Sequence, residues 1–348
     1  MSHLPLWTGL SSLSNLLKII SKLVIIVLDS LKGINYYWFM SQSTISTFEL
    51  FRLIPDAEAA RVYLEARLWP NGTTCPNCSG QDRITTRKGG FYRCNKCKLD
   101  FTIRTGTIFE RSHVPLHKWV YAMYLVVTAR KGISSLQLAK EIGITQKSAW
   151  FVLQRLREAC GGPSGDGGKL SGFVEVDECY VGGKEGNKHE SKKRNDGRRG
   201  SYGKTAVIGL RERGGRTVAK LINANDQETL QNAIFDNVEI GSTVLTDEHI
   251  GYRGLDGHFY NHQVVNHSGG EYKRGVASTN SIESVWALLK RGIYGTYHQV
   301  SAKHLTRYVD EVSFRLNEGD VKRHTLERLD SFVAATDGKR LTYARLIA

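Results

Sequence analysis

The sequence has few cysteines and no long uninterrupted apolar run, and each shortage excludes a class of protein. Six cysteines in 348 residues are too few for a scaffold held together by disulfides. The most apolar stretch, residues 16–28, is broken by Lys18 and Lys22. It falls short of the roughly 18 to 20 apolar residues that a membrane-spanning helix needs. With 41% hydrophobic and 24% charged residues, the composition also excludes wholesale disorder.

Acidic residues are scarce relative to basic ones. There are 34 Asp and Glu against 48 Lys and Arg, which gives a formal net charge of +14. Such an excess favours a polyanionic partner, either nucleic acid or an anionic membrane surface. The length predicts two or three domains rather than one. The low cysteine content predicts a reducing, cytoplasmic location without stable membrane association.

Residues 1–39 differ in composition from the rest of the chain. A signal peptide would need a small-residue cleavage site after its apolar core, and the aromatic run 36–39 does not provide one. An interfacial amphipathic helix is a further alternative. We expect instead that Met40 is the true start and that residues 1–39 come from an over-extended reading frame. N-terminal mass spectrometry of the native protein would detect upstream peptides if this expectation is wrong.

Four of the cysteines form two C-x-x-C pairs with the spacing of a zinc site. Cys75 and Cys78 are separated from Cys94 and Cys97 by residues 79–93. Two such knuckles present four thiolates to one tetrahedral zinc, which leaves no open position for catalysis. The alternative is a set of redox-active or incidental cysteines. We predict a structural zinc ribbon over residues 45–110, with a β-hairpin between the pairs.

Residues 111–160 have a helical pattern that includes a tight turn. A short helix capped by Ser134 stops at Gly143, and a second helix begins at Thr145. Small residues at these offsets let two helices cross closely, which predicts a helix-turn-helix; an ordinary helical hairpin is the alternative. Residues 161–170 form a linker. The side chains expected to face the DNA major groove are Gln146, Lys147 and Ser148.

The order of elements in the second half indicates a ribonuclease-H-like α/β domain over residues 171–320. The predicted strands are 173–181, 205–210, 217–222, 242–245 and 262–265, and the predicted helices are 227–236 and 280–291. Three strands in a meander, a helix, two further strands and a last helix are typical of that fold. Residues 321–348 are expected to be a C-terminal tail.

Three carboxylates occupy the positions at which such a sheet gathers metal ligands. Asp177 lies in the first strand, Asp247 follows the fourth, and Glu283 lies in the first turn of the last helix. Carboxylate oxygens suit Mg²⁺ or Mn²⁺, and two such ions about 4 Å apart can activate the attacking oxygen and stabilise the leaving one. Lys290 shares a helix face with Glu283 and is expected to hold a DNA phosphate.

Each carboxylate also has a structural alternative. Asp177 could be a surface residue, with Glu175 or Glu178 in its place, since residues 175 and 177 share one strand face and 178 takes the other. Asp247 could be a turn residue. Glu283 could form a capping box with Asn280, and the polar face of the last helix could simply be solvated. The combination of all three at these positions favours a catalytic site.

A basic loop joins the first two strands of this domain. Residues 184–200 contain seven Lys or Arg and three acidic residues. Sequence-independent contact with DNA phosphates is the expected role, and a plain solvated loop is the alternative. The candidate contacts are Lys192, Lys193, Arg194, Arg198 and Arg199.

The chain resembles the ISXO-like insertion-sequence transposases, a bacterial family with a zinc ribbon and a DDE-type catalytic domain. The matching stretches are 92–97, 105–109, 134–139, 176–183, 246–247, 279–292 and 295–298. The similarity spans roughly residues 45–345 and excludes residues 1–39. The resemblance implies that Asp177, Asp247 and Glu283 are the catalytic triad and that Lys290 is its basic companion. Some relatives carry Asn at the glutamate position, but this chain keeps Glu283.

These observations predict a transposase that cuts double-stranded DNA at the ends of its own element and joins the freed 3′ ends to target DNA. The zinc would be structural and Mg²⁺ or Mn²⁺ catalytic. The ribbon and the helix-turn-helix would recognise the terminal inverted repeats. Because two ends must be paired, a homodimer or larger assembly is expected. Two alternatives are a non-catalytic DNA-binding regulator and a nuclease that cuts without joining.

Overall fold

The computed structural model describes residues 44–162, 168–183, 189–193, 203–258, 260–266, 269–271 and 273–348. Within these ranges a helical region with a small three-stranded sheet precedes a five-stranded mixed sheet. The expectation for residues 1–39 lies outside the described residues. In the described part of the chain, no helix combines the length and the apolar character needed to cross a bilayer.

Two capped helices precede the small sheet. Helix α1 (Thr47–Leu53) begins with a capping box, in which Ser46 N donates to Glu49 Oε2 at 2.6 Å and Glu49 N donates to Ser46 Oγ at 3.2 Å. Helix α2 (Ala57–Leu68) is capped by Asp56. The sheet consists of the antiparallel strands β1 (Ile84–Arg87), β2 (Phe91–Cys94) and β3 (Asp100–Phe101). Strands β1 and β2 are the predicted hairpin between the two cysteine pairs.

Three helices follow: α3 (Leu116–Thr128), α4 (Ser135–Ile142) and α5 (Gln146–Cys160). Ser134 Oγ accepts from Gln137 N at 3.1 Å and so caps α4. Gly143 ends that helix in the left-handed conformation, with φ of 61°, which glycine adopts without steric cost. Thr145 Oγ1 then accepts from Ser148 N at 3.2 Å and starts α5. The predicted Ser134 cap and the stop at Gly143 are confirmed, and α5 begins one residue after the predicted start because Thr145 is its N-cap. The use of these helices in DNA recognition stays a prediction.

The larger sheet has the strand order β6-β5-β4-β7-β8. Its strands are β4 (Phe173–Val181), β5 (Thr205–Glu212), β6 (Thr217–Ile222), β7 (Thr243–Thr246) and β8 (Asn261–Val264). Strands β4, β5 and β6 form an antiparallel meander, and β7 runs parallel to both β4 and β8. The sheet is mixed, and its five strands and the helices between them follow one another along the chain in the predicted order.

Helices cover both faces of this sheet. The described helices against it are α6 (Gln227–Asn237), α7 (Asn280–Gly292), which continues into a π-helical turn (Ile293–Tyr297), and α8 (Ala302–Leu316). Val174 and Val176 of β4 face a core shared with α6. Cys179 and Val181 face a second core shared with α7 and α8. Alternate residues of β4 therefore point to opposite layers.

The expectation that residues 321–348 form a tail is wrong. These residues contain helices α9 (Thr325–Ala334) and α10 (Tyr343–Ile347). The buried face of α9, formed by Leu326, Leu329, Phe332 and Val333, belongs to the same core as α1 to α5. In addition, Arg328 Nη1 donates to Val127 O of α3 at 2.6 Å. Apolar residues three to four apart mark an amphipathic helix, and such a helix needs a partner surface.

Candidate functional site

The four paired cysteines converge on one point. The Sγ atoms of Cys75 and Cys97 are 3.6 Å apart, as are those of Cys78 and Cys94, and all four lie within 4.8 Å of one another. Tetrahedral zinc with Zn–S bonds of about 2.3 Å requires S···S separations of about 3.8 Å, so the cluster fits that ion. Backbone hydrogen bonds from Cys97 lower the pKa of Cys94 to about 6, which favours the thiolate that binds metal.

An aromatic cluster packs against the cysteines of the zinc site. The Trp69 ring lies 5.3 Å from the Tyr92 ring and 5.9 Å from the Phe101 ring, edge-on in both cases. Tyr92 and Phe101 belong to the ribbon strands, whereas Trp69 follows α2. The ribbon is thereby fixed to the helices that precede it, consistent with a structural metal.

A second group of ionisable side chains gathers on β4, around Asp177. Trp286 Nε1 of α7 donates to Asp177 Oδ2 at 3.0 Å. Burial raises the pKa of Asp177 to about 6, and the negative charges of Asp247 and Glu283 also raise it, while the Trp286 hydrogen bond opposes them. The three predicted carboxylates are therefore near enough to interact electrostatically.

Asp247 reaches this site through the parallel pairing of β7 with β4. Phe173 pairs with Thr243, and Glu175 pairs with Leu245. Continuing this register by two residues brings Asp177 level with Asp247, where β7 has just ended. The Asp247 carboxylate accepts from His249 N at 3.0 Å, which holds the turn after the strand.

Glu283 lies on an exposed part of the first turn of α7. The N-cap of this helix is Thr279, so a capping box between Asn280 and Glu283 is out of register by one residue. Thr279 Oγ1 donates instead to Glu283 Oε1 at 2.9 Å. The capping-box alternative is therefore wrong, and the carboxylate remains at the edge of the site.

The three carboxylates are less tightly grouped than the cysteines. Among the described residues, the cysteine cluster is the one group of three or more potential ligands whose donor atoms all lie within 4.8 Å of each other. A pair of divalent ions about 4 Å apart does not require one compact ligand set, because different carboxylates hold different ions. Their hard oxygen donors and mutual repulsion are suited to divalent cations.

Glu175 anchors the helix that carries Glu283. It is 1% exposed, and its Oε2 accepts from Ser281 N at 2.8 Å, from Ser281 Oγ at 2.5 Å and from Ile282 N at 3.1 Å. Its Oε1 accepts from Arg213 Nε at 2.8 Å. A buried carboxylate that receives the free N–H groups of a helix start fixes the position of that helix. Glu175 thus faces α7 together with Asp177, but it has a structural role.

Glu178 takes the opposite face of the strand, as the alternation predicted. Tyr252, which is fully buried, donates its hydroxyl to Glu178 Oε1 at 2.6 Å. Burial raises the pKa of Glu178 to about 7; the Tyr252 hydrogen bond opposes this, and the charges of Asp247 and Asp177 add to it. Glu178 is therefore a fourth carboxylate near the three predicted ones. No local pattern in the sequence indicates its partner Tyr252, which is far away in the chain.

Lys290 lies close to the same strand. Burial raises the pKa of the Cys179 thiol, and the positive charge of Lys290 acts against this rise. Lys204, next to β5, acts in the same direction and was not predicted. Two cations therefore lie near Cys179, two residues along β4 from Asp177.

The predicted DNA-binding residues are only partly described. Gln146, Lys147 and Ser148 are exposed at the start of α5. Gln146 Nε2 donates to Ser135 Oγ at 2.8 Å, and Lys147 Nζ lies 5.5 Å from the centre of the Tyr343 ring. Lys193 Nζ donates to Glu190 Oε2 at 2.6 Å. The side chain of Lys192 and the whole of Arg194, Arg198 and Arg199 lie outside the described residues.

Comparison with known proteins gives matches over both regions. Residues 169–317 match a family model described as an ISXO2-like transposase domain, and residues 55–100 match one described as a transposase zinc-ribbon domain. A protein of Halobacterium salinarum, named "Uncharacterized protein in transposable element ISH50", is 31% identical over 276 residues. That alignment covers 75% of this chain and 91% of the relative.

A solved structure of a simian T-cell lymphotropic virus intasome in complex with PP2A regulatory subunit B56 gamma is also similar. The TM-score is 0.25 and the sequence identity 12%, over 58% of this chain and 66% of the other. This likeness is too low to support an argument about fold or function.

Proposed function

The chain belongs to the ISXO2-like transposase family, and we propose that it cuts DNA at the ends of an insertion element and joins the freed 3′ ends to target DNA. Asp177, Asp247 and Glu283 are the proposed catalytic carboxylates. The observation that carries this assignment is the β4–β7 register, which brings Asp177 level with Asp247. The hydrogen bond from Trp286 to Asp177 then joins α7, the helix that carries Glu283, to the same strand.

The sheet order supports a ribonuclease-H-like assignment for this domain. Numbered along the chain, the strands stand in the order 3-2-1-4-5, with the second strand antiparallel to the first. The first and fourth strands are adjacent and parallel. The middle of the first strand, the end of the fourth and the start of α7 provide the three carboxylates.

Divalent metal would be held by Asp177 and Asp247, with Glu283 completing the ligand set. Bound there, Mg²⁺ or Mn²⁺ would supply Lewis acidity at the scissile phosphate. The chain's own residues have three further tasks. Trp286 orients the Asp177 carboxylate, Glu175 holds the start of α7 in place, and Lys290 neutralises a DNA phosphate beside the reacting one.

Recognition of the element ends is assigned to the ribbon and to helices α4 and α5. Gln146, Lys147 and Ser148 lie exposed at the start of α5, as a recognition helix requires. Residues 184–200 are proposed to contact phosphates without regard to sequence. Since two element ends must be paired, the active form is proposed to be a dimer or larger on DNA, and a monomeric complex in light scattering would contradict this.

The test is cleavage of a labelled duplex taken from the genomic DNA that borders the gene. The zinc-loaded full chain would be incubated with or without added Mg²⁺, beside Asp247→Asn and a control, Asp236→Asn, which changes an exposed carboxylate on α6. We expect a metal-dependent cut at the repeat boundary for the wild type and the control only. Asp247→Asn should still bind the duplex.

Two results would overturn the proposal. Binding by the wild type without any cut, in Mg²⁺ and in Mn²⁺, would favour the non-catalytic regulator. Cutting without strand transfer into a target plasmid would favour a nuclease.

A further inference from the structure

A basic groove runs beside the active-site helix. Its volume is about 680 Å³, and it lies between the segment after α3, helix α7 and the loop after α8. Four exposed cations line it, namely Arg130, Lys131, Arg291 and Lys322. Within the described part of the chain, none of the four takes part in an ion pair. Uncompensated cations in a concave surface concentrate positive potential there.

The remaining charges of the groove do not cancel this potential. Arg211 is half-buried, and its Nη1 donates to Ser281 O at 3.4 Å, so it adds a further positive charge. Arg315 is already paired with Glu311. Asp320 is the single acidic residue among the described lining residues, and its Oδ1 accepts from Lys322 N at 3.0 Å. The groove therefore carries a net positive charge and is suited to a polyanion.

The groove runs along α7, the helix that carries Glu283. Ser284 and Arg291 line it, and each directly follows a residue of the proposed site, Glu283 or Lys290. Successive helical residues are rotated by about 100°, so the groove and the carboxylates occupy neighbouring sides of α7. A strand of DNA held in the groove passes next to the carboxylates.

A second cavity, which reaches the start of α5, lies close to the groove. A Cβ placed on Gly292 would lie 3.3 Å from Lys131 O, and one placed on Gly132 would overlap the Tyr297 hydroxyl. Tyr297 in turn lines this second cavity of about 340 Å³ together with Ser135 and Gln146. Because Gly132 directly follows Lys131 of the basic groove, the groove and the cavity that holds the proposed recognition residue Gln146 are neighbours.

We propose that this groove binds the phosphate backbone of the element-end duplex, between the part recognised by α5 and the bond that is cut. The inference rests on the proposed function, because the duplex is the substrate of that site. The element end is the occupant rather than target DNA, since only the element end is required to touch both α5 and the carboxylates. The groove contacts are independent of base sequence, as contacts from lysine and arginine to phosphates are.

The test compares two double variants that remove the same charge. Arg130→Gln with Arg291→Gln neutralises one cation on each wall of the groove. Lys169→Gln with Lys220→Gln is the control, since both are exposed lysines in another cavity, whose lining includes Asp236 and Asp310. Binding of the zinc-loaded full chain to the element-end duplex would be measured by fluorescence anisotropy without added Mg²⁺ or Mn²⁺, over a range of salt concentrations.

The logarithm of the binding constant falls with the logarithm of the salt concentration, with a slope of about 0.9 per phosphate contact. Loss of two contacts should therefore reduce this salt slope by about 1.8 and weaken binding about 30-fold at 0.15 M salt. The control should stay within about twofold of the wild type. Lys131→Gln with Lys322→Gln should reproduce the loss, which guards against a folding defect of the first variant. Equal loss in the control, or no loss in either groove variant, would overturn the proposal.

Two further results separate this inference from the proposed function. Because binding is measured without the catalytic metal, the salt slope tests the groove whether or not the protein cuts. A wild type that binds but never cuts when Mg²⁺ or Mn²⁺ is added contradicts only the proposed function. A groove variant that binds and cuts the element end normally, but loses strand transfer into a plasmid, would assign the groove to target DNA and refute the proposal.

Discussion

Replacement of Glu311 should destabilise the protein strongly, because this residue holds two buried arginines. It is 2% exposed and accepts from Arg157 Nε at 2.6 Å, from Tyr297 OH at 3.0 Å and from Arg315. Arg157 belongs to α5, whereas Glu311 and Arg315 belong to α8. Removing one partner of a buried ion pair costs about 3–5 kcal/mol, since the other charge is left uncompensated. We expect a loss of this size for Glu311→Gln.

The measurement is urea denaturation at pH 7, with Glu271→Gln as the matched control. Glu271 pairs with Arg274 at 2.7 Å on the surface, where an ion pair contributes about 0–1 kcal/mol. Replacing Glu311, Arg157 and Arg315 together by Leu, Met and Met should recover much of the loss, because no buried charge is then unpaired. A cost below about 1 kcal/mol for Glu311→Gln, equal to that of the control, would refute the reasoning.

The effect should also depend on pH in a defined direction. Burial acts to raise the pKa of Glu311, but Arg315 and Arg157 outweigh it and leave the pKa below its ordinary value of 4.5. The stabilisation is therefore complete above pH 4.5 and is lost as the pH falls through the lower pKa of the folded state. The difference between wild type and Glu311→Gln should be constant from pH 6 to 7 and shrink only in acid.

Three further predictions concern the zinc site, the carboxylate site and Asp310 in the middle of α8. Cys94→Ser should abolish stoichiometric zinc, measured by atomic absorption, and EDTA should destabilise the wild type but not this variant. Trp286→Phe removes a hydrogen bond that lowers the pKa of Asp177, so the rise of Mg²⁺ affinity with pH, measured by calorimetry, should move to higher pH. Burial and the charge of Glu158 raise the pKa of Asp310 to about 6. The unfolded state then loses its proton more readily than the folded state, so the destabilisation grows from pH 3.8 to about pH 6 and is constant above that. Asp310→Asn should therefore stabilise by up to about 3 kcal/mol at pH 8 and far less at pH 4 in thermal unfolding.

The elements around the carboxylates could be predicted from sequence because their signals are local. The first strand was predicted as 173–181 and is Phe173–Val181, and the last helix, predicted as 280–291, is Asn280–Gly292. Alternating burial and helix caps are determined by neighbouring residues. The proximity of Asp177 to Asp247 follows from the order of these elements.

Other features depend on partners that are distant in the chain. Tyr252 donates to Glu178 across 74 positions, and Glu175 receives Ser281 N across 106. Neither contact leaves a periodic pattern in the sequence. The amphipathic spacing of Leu326, Leu329 and Phe332 was present but gave no indication of which surface it covers. Local patterns therefore predicted the elements, but not these long-range partners.

The packing of α9 into the first core has a consequence for synthesis of the protein. Translation proceeds from the N-terminus, so α1 to α5 leave the ribosome well before Leu326, Leu329, Phe332 and Val333 exist. Burial of each such side chain contributes about 1.5–3 kcal/mol. Until residue 333 has emerged, the core of α1 to α5 keeps an open apolar surface. A chain cut short by a nonsense mutation after the last proposed catalytic carboxylate would still carry all three acids, yet would lack a finished N-terminal core.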